Sequence, residues 1–489
     1  MAGWNRRRFL AGSAASLAFS QRGRAQEAVD DWALFHTTDL HGHILPTESY
    51  EGEKDLGGLA RCASQIRAWR KQSPNNLLLD VGDVFQGTLV SWQTRGKLMI
   101  ELFNKMGYDA WVLGNHEFDW GPEVVEQALN LSEMPVLAAN VEVDGKRVGA
   151  DRDEGLFRKL KPWILKEIGG EKVGVIGLTT PGLSSWLRPE LLGPLRAVDP
   201  QPVLERCVAE LKSEGATKIV VAGHMGFRQW GDDYANPLAH TLKGSGVDTF
   251  IGAHSHQRNA RWLVEGVPCT QASYHGLHCG RVRFYEDLAR LELSLMDRSI
   301  EADPVVMEAS RPFVEKALLE QNREIGRLGE PIEGVENVRR LLVDAFERAA
   351  HRAKLEVDAV FHGTFGETKI EAGPFTIGDA WRLLPYENRL VVGELTEEEI
   401  LAVLHQSEKV SHSDRALLGL KVIREGKRAV AIEAPERRKR YRILCNSFDA
   451  QSGGRKLTSL RDALAKPAAK SRMLPLGARE ALIDFIADA

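Results

Sequence analysis

Short apolar runs alternate with longer mixed segments between about residues 31 and 285. The runs are rich in β-branched and aromatic residues and have the length of buried strands: WALFHTTD, NLLLDVGD, AWVLGN, KVGVIGLT, KIVVAGH and DTFIGAH. The segments between them carry a helical period, as in GGLARCASQIRAWRKQ, where apolar side chains recur every three or four residues at Leu59, Cys62, Ile66 and Trp69. Strands that alternate with helices predict an α/β layered domain.

The same alternation restarts after a long helical segment. Residues 302–326 predict one helix with Val314, Leu318 and Ile325 on a single face. Beyond it, VRRLLVDAFERAAHRA and TEEEILAVLHQSEK predict helices, the second opened by Thr396 with acids in its first turn, and DAVFHG, RLVVGEL and YRILCNSF predict strands. We therefore expect three consecutive units after the N-terminal segment: a first domain at 27–300, a linker helix at 301–326 and a smaller second domain at 327–489.

The N-terminal segment, residues 1–26, differs from the rest of the chain. NRRRFLAGSAASLAFS begins with the adjacent Arg6 and Arg7 and continues into a modest apolar run. That run is shorter than the ~20 apolar residues that a membrane span needs. The segment resembles a twin-arginine signal peptide, which the export machinery reads as an address. We expect a periplasmic or otherwise exported protein without stable membrane insertion; a basic tail without structure is the alternative.

The composition is that of an ordinary globular protein, with 43% hydrophobic and 27% charged residues. The formal net charge of −4 gives no concentrated basic surface, so we expect no nucleic-acid partner. Five cysteines without a CxxC pair exclude a complete disulfide framework. Free buried thiols are expected, although Cys269 and Cys279 could pair if the fold brings them together.

Five of the predicted strands are followed directly by side chains that bind metals. In open α/β sheets, ligands bind beyond the carboxyl ends of the strands, so these side chains should gather at one rim. Two motifs place candidates two residues apart, which puts both side chains on one side of an extended chain. The candidate ligands are Asp39, His41, Asp83, Asn115, His224, His254 and His256.

This set of oxygen and imidazole donors without a thiolate suits Zn²⁺, Mn²⁺ or iron. Seven ligands are too many for one tetrahedral ion but fit two divalent ions that share a carboxylate, for which we expect Asp83. His116 and Asp119 then remain as an imidazole that can stabilise charge or protonate a leaving group, and a carboxylate that fixes its tautomer. Glu117, between them in the chain, is expected to be structural.

The ordered motifs DxH, GDxxQG, GNHEFD, GHxG and GxHxH resemble those of the calcineurin-like metallophosphoesterases. The GNHEFD form with a second domain behind it resembles the branch of periplasmic 5′-nucleotidases and 2′,3′-cyclic-nucleotide phosphodiesterases. The resemblance implies a four-layer αββα sandwich followed by a smaller α/β domain of the 5′-nucleotidase type. It implies one metal bound by Asp39, His41, Asp83 and His256, and the other by Asp83, Asn115, His224 and His254. It also makes His116 and Asp119 the catalytic dyad.

The implied activity is that of an exported metal-dependent phosphoric ester hydrolase with nucleotide substrates, either 5′-monophosphates or 2′,3′-cyclic forms. In the family's mechanism a metal-bound hydroxide attacks phosphorus in line, and here His116 would assist it. LPYENRL keeps the family's Asn388 and NSFDAQSGGRKL keeps a stacking Phe448, so both are expected to bind substrate.

Two positions of the second domain depart from the family. Glu367 stands where the nucleotidases carry a phosphate-binding Arg, and Arg455 stands about where they carry an Asp. A carboxylate near a phosphate repels it, so a non-nucleotide substrate is an alternative, such as the thiosulfonate conjugates of the sulfur-oxidation thiosulfohydrolases, which resemble this architecture. A non-catalytic metal-binding protein is a more remote alternative. It predicts a damaged ligand or dyad position, and the motifs show none.

Overall fold

The computed structural model describes residues 32–149, 155–226, 238–285, 288–366, 369–410 and 413–488. The predicted twin-arginine segment and Glu367 therefore lie outside the described residues. Within them, no helix is both long enough and apolar enough to cross a bilayer. All five cysteines are buried and free, which confirms the expectation of unpaired thiols.

The first domain contains all six strands predicted from the apolar runs, together with further strands. The strands are β1 (Trp32–Thr37), β2 (Asn76–Asp80), β3 (Ala110–Val112), β4 (Val136–Leu137), β5 (Val141–Val143), β6 (Lys146–Arg147), β7 (Leu160–Lys161), β8 (Trp163–Ile168), β9 (Glu171–Leu178), β10 (Leu195–Ala197), β11 (Lys218–Gly223), β12 (Thr249–Gly252), β13 (Arg258–Val264), β14 (Val267–Ala272), β15 (His278–Tyr285) and β16 (Leu288–Leu295). The helices are α1 (Leu59–Gln72), α2 (Leu89–Thr94), α3 (Lys97–Met106), α4 (Pro122–Leu131), α5 (Leu183–Trp186), α6 (Pro189–Leu192), α7 (Pro200–Ser213) and α8 (Leu238–Leu242), with a 3₁₀ turn at His116–Phe118.

Two sheets of the first domain pack face to face. One has the strand order β16-β15-β1-β2-β3-β4-β7 and the other β13-β14-β12-β11-β9-β8. Leu34 and Val112 of the first sheet and Val175 and Val220 of the second belong to one buried cluster between them. Helices α1, α3 and α4 cover the outer face of the first sheet, and α7 and α8 cover that of the second. The four-layer αββα sandwich is therefore confirmed.

The strand directions decide where the polar strand ends meet. β1, β2 and β3 are parallel neighbours in the first sheet. In the second sheet β9, β11 and β12 are parallel neighbours as well. The carboxyl ends of each parallel set share one edge of their sheet, so loops from both sheets can contribute side chains to one site.

The second domain is built on a five-stranded sheet of order β23-β19-β26-β22-β27. Its strands are β17 (Glu324–Leu328), β18 (Ile332–Glu333), β19 (Ala359–His362), β20 (Lys369–Ile370), β21 (Gly373–Thr376), β22 (Arg389–Leu395), β23 (Ala416–Leu418), β24 (Lys421–Glu425), β25 (Arg428–Glu433), β26 (Tyr441–Asn446) and β27 (Arg472–Gly477). The helices, counted from the connecting helix, are α9 (Pro304–Gln321), α10 (Val335–Arg352), α11 (Ile377–Leu383), α12 (Glu397–Ser407), α13 (Ser447–Ala450), α14 (Thr458–Ala465) and α15 (Ala478–Ala487), with a 3₁₀ turn at Pro467–Ala469. α10, α11 and α15 pack on one face of the sheet, and α12 and α14 pack on the other.

The connecting helix is shorter than the predicted 301–326. α9 begins after Asp303, whose side chain accepts the backbone N–H groups of Val305 and Val306, and ends at Gln321. Ile325, expected on the helix, instead lies in β17, because residues 324–328 pair antiparallel with β21. The periodic pattern alone cannot reveal this pairing, since the partner strand comes about fifty residues later in the chain.

The N-terminus of α12 has the cap predicted from its sequence. The Thr396 hydroxyl accepts the backbone N–H of Glu399 at 3.2 Å, and the Glu399 carboxylate accepts that of Thr396 at 2.9 Å. We expect Thr396→Ala to lower the free energy of unfolding by about 1 kcal/mol, because one N–H of the first turn loses its acceptor. Thr396→Ser keeps the hydroxyl and serves as the control in urea unfolding. Equal stability of the two variants would contradict the capping role.

Candidate active site

The seven predicted ligands lie at the carboxyl ends of five strands. Asp39 and His41 follow β1, Asp83 follows β2 and Asn115 follows β3. His224 comes directly after β11, while His254 and His256 lie in the loop that follows β12. Because these strands are parallel within their sheets, the loops converge where the two sheets meet.

One group of candidate ligands combines Asp39, His41, Asp83 and His256, whose ligand atoms lie within 4.8 Å of one another. The Nε2 atoms of His41 and His256 are 3.0 Å apart. Nε2 of His256 lies 3.6 Å from Asp39 Oδ1, and Nε2 of His41 lies 3.8 Å from Asp83 Oδ2. Four donor atoms thus face one point, as a bound cation requires.

A second group combines Asp83, His224 and His254, again within 4.8 Å of one another. Nε2 of His224 lies 3.1 Å from Asp83 Oδ2. Asp83 belongs to both groups, which is the arrangement expected of a carboxylate that bridges two ions. The side-chain oxygen of Asn115 is buried and has no hydrogen-bond partner among the described residues.

Backbone carbonyls orient two of the imidazoles. Nδ1 of His41 donates to the carbonyl of Gln86 at 2.9 Å, and Nδ1 of His224 donates to that of Val81 at 2.7 Å. Each ring therefore carries a proton on Nδ1 and turns its Nε2 toward the site. In the part of the chain that the structure describes, the buried Oδ2 of Asp39 and Oδ1 of Asn115 have no hydrogen-bond partner, although such atoms normally have one. The donor set and its unsatisfied oxygens fit two divalent cations.

Five of the seven residues have a left-handed backbone. The φ angles lie between 47° and 68° for Asp39, His41, Asp83, His254 and His256. Residues other than glycine adopt this region at a cost of about 1–3 kcal/mol each, and they cluster at ligand-binding sites. Backbone contacts hold the loops in this form: His41 N–H donates to the carbonyl of Asp83 at 2.8 Å, and His254 N–H donates to Asp39 Oδ1 at 2.8 Å.

Glu117 fastens two of these loops together. Its buried carboxylate accepts the backbone N–H groups of Asp83 at 3.1 Å, Val84 at 2.6 Å and Gly114 at 2.6 Å. Gly114 leaves room for the contact, since a Cβ there would lie 2.2 Å from Asp83 Oδ1. These contacts agree with the structural role expected for Glu117.

We expect Glu117→Gln to lower the free energy of unfolding by about 1–3 kcal/mol, because an amide NH₂ would face a backbone N–H and leave a buried donor without an acceptor. The exposed Glu123, six residues further along, gives the matched control Glu123→Gln. Denaturant unfolding of both variants measures the difference. A loss of stability that is equal in the two would show that the three hydrogen bonds do not matter.

His116 and Asp119 form a hydrogen-bonded pair beside the two ligand groups. Nδ1 of His116 donates to Asp119 Oδ2 at 2.7 Å, and the backbone N–H of His116 donates to Asp83 Oδ1 at 2.8 Å. The contact with Asp119 leaves Nε2 of His116 available to a substrate. Burial opposes protonation of His116, but Asp119 and Asp83 outweigh it and raise the pKa of His116 to about 10. The neighbouring carboxylates therefore favour the protonated form of the His116 imidazole.

Two of the candidate ligand imidazoles have lowered pKa values, in contrast to His116. Burial lowers the pKa of His41 and lowers that of His254 to about 3. Both rings are therefore neutral at pH 7, the state in which an imidazole binds a metal.

A cavity of about 360 Å³ lies beside the dyad and is lined by both domains. Asn388 and Phe448, predicted to bind substrate, both line it. Gln86 connects this region to the ligand groups: its carbonyl holds His41, and its Nε2 donates to the carbonyl of Pro385 at 2.7 Å. The loop 385–388 of the second domain is thereby tied to the first.

The residues of this wall that were not predicted from the sequence include Trp186, Phe365, Tyr386 and Arg415. Tyr386 and Phe365 stand within two residues of the predicted Asn388 and Glu367, so a search of the neighbouring positions could have found them. Trp186 and Arg415 belong to no motif and offered no signal. Arg455 is exposed and is not among the residues that line this cavity.

Comparison with known proteins agrees with the fold. Residues 33–258 match the family model described as calcineurin-like phosphoesterase, and residues 333–462 match the 5′-nucleotidase C-terminal domain. The trifunctional nucleotide phosphoesterase YfkN of Bacillus subtilis is 26% identical over 77% of this chain, which spans 27% of that protein's length.

Two solved structures cover nearly the whole chain. The 5′-nucleotidase precursor of Thermus thermophilus has a TM-score of 0.72 at 28% identity and covers 94% of this chain and 96% of its own. The sulfate thiohydrolase SoxB of Thermus thermophilus has a TM-score of 0.64 at 18% identity, with 94% of each chain covered, and shows likeness of fold alone.

The chain thus carries a segment that matches the calcineurin-like phosphoesterases, followed by a segment that matches the C-terminal domain of the 5′-nucleotidases.

Proposed function

We propose that this protein hydrolyses nucleotide phosphoesters, either 5′-monophosphates or 2′,3′-cyclic forms, at a centre of two divalent metals. The observation that carries the proposal is the convergence of two ligand groups on Asp83 next to the His116–Asp119 pair. We also propose the division into a phosphoesterase domain at 27–300, a linker at 301–326 and a substrate-recognition domain at 327–489.

The proposed ligands divide between two ions. Asp39, His41, Asp83 and His256 would hold one ion, and Asp83, Asn115, His224 and His254 the other. When bound, two such ions supply positive charge to a phosphoryl group and a nucleophilic water at neutral pH. Zn²⁺, Mn²⁺ and iron all suit these donors.

The His116–Asp119 dyad would act on the leaving-group side of the phosphoester. His116 holds a proton on Nε2 while Asp119 fixes Nδ1, so the imidazolium can stabilise charge on a non-bridging oxygen or give its proton to the leaving oxygen. The contact of its backbone N–H with Asp83 sets its distance from the ligand groups. His116 would thus be the proton donor and Asp119 the residue that orients it.

The cavity would hold the leaving group. Phe448, Phe365 and Tyr386 provide flat apolar faces against which a planar base can lie, with the Phe365 and Tyr386 ring centroids 5.3 Å apart. Asn388 adds an amide that can donate and accept. Its volume of about 360 Å³ lies within the usual range for small-molecule sites.

A substrate screen with Mn²⁺-loaded protein tests the proposed function. The panel contains nucleoside 5′-monophosphates, 2′,3′-cyclic nucleotides, p-nitrophenyl phosphate and a peptide with a cysteine S-thiosulfonate. We expect kcat/KM for a nucleotide to exceed that for p-nitrophenyl phosphate, because the cavity binds the leaving group. Turnover of the S-thiosulfonate alone would favour the thiosulfohydrolase alternative, and turnover of none would favour the non-catalytic one.

We further propose export by the twin-arginine route, which rests on the residues NRRRFL. Replacement of Arg6 and Arg7 by Lys keeps the charge but changes the recognised pair. The variant precursor should then accumulate inside the cell, as measured by fractionation. Unchanged export of the variant would contradict the route.

A further inference from the structure

Arg415 lines the cavity and is held from one side by a buried carboxylate. Its Nε lies 3.0 Å from both oxygens of Asp449, and its Nη2 lies 2.8 Å from Oδ1. Asp449 is 1% exposed and also accepts the Asn446 side-chain amide at 3.0 Å. The side chain of Arg415 is 19% exposed and lines the cavity, so part of it is accessible to a ligand there.

The guanidinium has donors left for a ligand. Of its five N–H groups, Asp449 takes the one on Nε and one on Nη2. Among the described residues, Nη1 contacts only the Ser413 hydroxyl, at 3.5 Å, which is beyond the usual hydrogen-bond range. The donors that remain lie in one plane, and such a fork recognises two acceptors on one planar edge.

The surrounding charges favour a neutral acceptor over a second anion. Asp449 neutralises Arg415, and Asp414 is its neighbour in the chain. Asp119 and Glu387 also line the cavity, the latter paired with Arg479 at 2.7 Å. An additional phosphate or carboxylate at Arg415 would therefore meet carboxylates, whereas a carbonyl and a ring nitrogen would not be repelled.

The aromatic wall supplies the shape of the ligand. Phe365, Tyr386, Phe448 and Trp186 line the same cavity as Arg415 and suit a flat ring. A purine with an oxo group at position 6 carries two adjacent acceptors, O6 and N7, which arginine binds in bidentate fashion. Adenine instead presents an amino donor at position 6, and this donor would face the donors of Arg415.

We propose that Arg415 makes this cavity selective for 6-oxopurine bases, guanine or hypoxanthine, over adenine. The inference rests on the proposed nucleotide function and adds to it the class of base. Asp449 acts as the residue that positions Arg415.

Competition by nucleosides tests the proposal on the metal-loaded protein. Inosine and adenosine, which differ in the group at position 6, are measured as inhibitors of p-nitrophenyl phosphate hydrolysis. We expect inosine to inhibit at a roughly 10- to 100-fold lower concentration, the discrimination that one bidentate pair gives. The double variant Arg415→Met/Asp449→Asn, which leaves no unpaired buried carboxylate, should bring the ratio close to one. Isothermal calorimetry of both nucleosides gives the same ratio without turnover.

Two further variants keep the outcome interpretable. Arg415→Lys retains the charge but loses the planar fork, and it should also lower the ratio if the double variant does not fold. Arg438→Met removes an exposed arginine that pairs with Asp358 at 2.9 Å, and it should keep the wild-type ratio. Equal binding of the two nucleosides, a ratio that survives in the Arg415 variants, or no binding of either nucleoside would overturn the proposal. A failure of the proposed nucleotide function would be recognised separately, because kcat/KM would then be equal for inosine 5′-monophosphate and p-nitrophenyl phosphate.

Discussion

Asp83→Asn is expected to remove bound metal and to abolish turnover. Asp83 is the one residue common to both ligand groups, and its Oδ2 lies 3.1 Å from His224 Nε2 and 3.8 Å from His41 Nε2. The Asn amide is nearly the same size as the Asp carboxylate, but it has no negative charge with which to bridge two cations. Metal affinity should fall by more than the roughly 10- to 100-fold that is lost when a hydrogen-bond partner of a metal ligand is removed. Turnover should fall by about 1,000-fold or more.

Asp144→Asn is the matched control for this variant. Asp144 has φ of 52°, close to the 57° of Asp83, but lies in an exposed turn. Metal content per chain by plasma mass spectrometry and kcat/KM on a nucleotide measure both variants. If Asp83→Asn bound two equivalents of metal as tightly as the control, Asp83 would not be the bridge.

His116→Ala is expected to separate catalysis from metal binding. The imidazole hydrogen bonds to Asp119 and is absent from both ligand groups, while its backbone N–H, which contacts Asp83, survives the substitution. The variant should keep its full metal content and lose turnover by about 100- to 10,000-fold, the usual contribution of a positioned acid or base. The loss should be smaller for p-nitrophenyl phosphate, because its leaving group needs less protonation.

His351→Ala provides the control, since His351 is exposed on α10, away from the cavity. Both variants are compared by metal analysis and by single-turnover kinetics. If His116→Ala lost metal together with activity, His116 would belong to the ligand set. If it hydrolysed substrate as fast as His351→Ala, the dyad assignment would be wrong.

The gathering of the ligands could be predicted from the sequence because each follows an apolar strand. Two-residue spacing and the rule for strand ends were enough to bring Asp39, Asp83 and His254 to one rim. These rules could not predict the left-handed backbone at these residues, because that backbone depends on hydrogen bonds between loops that lie far apart in the chain. The distances between the donor atoms follow from those bonds.

The cavity wall was harder to predict. Arg415 and Trp186 are brought together by the packing of one domain against the other, and no local period or motif marks such positions. The end of α9 was misplaced for a related reason: Ile325 continues the apolar face of the helix, but pairing with β21 takes it into a strand. Long-range pairing overrides a local pattern where the two compete.

Anomalous diffraction from crystals of the Mn²⁺-loaded protein can locate the two proposed metals. Two peaks about 3.5–4 Å apart are expected, with Asp83 in contact with both. One peak should lie among Asp39, His41 and His256, and the other among Asn115, His224 and His254. A single peak, or two peaks without Asp83 between them, would contradict the two-metal centre.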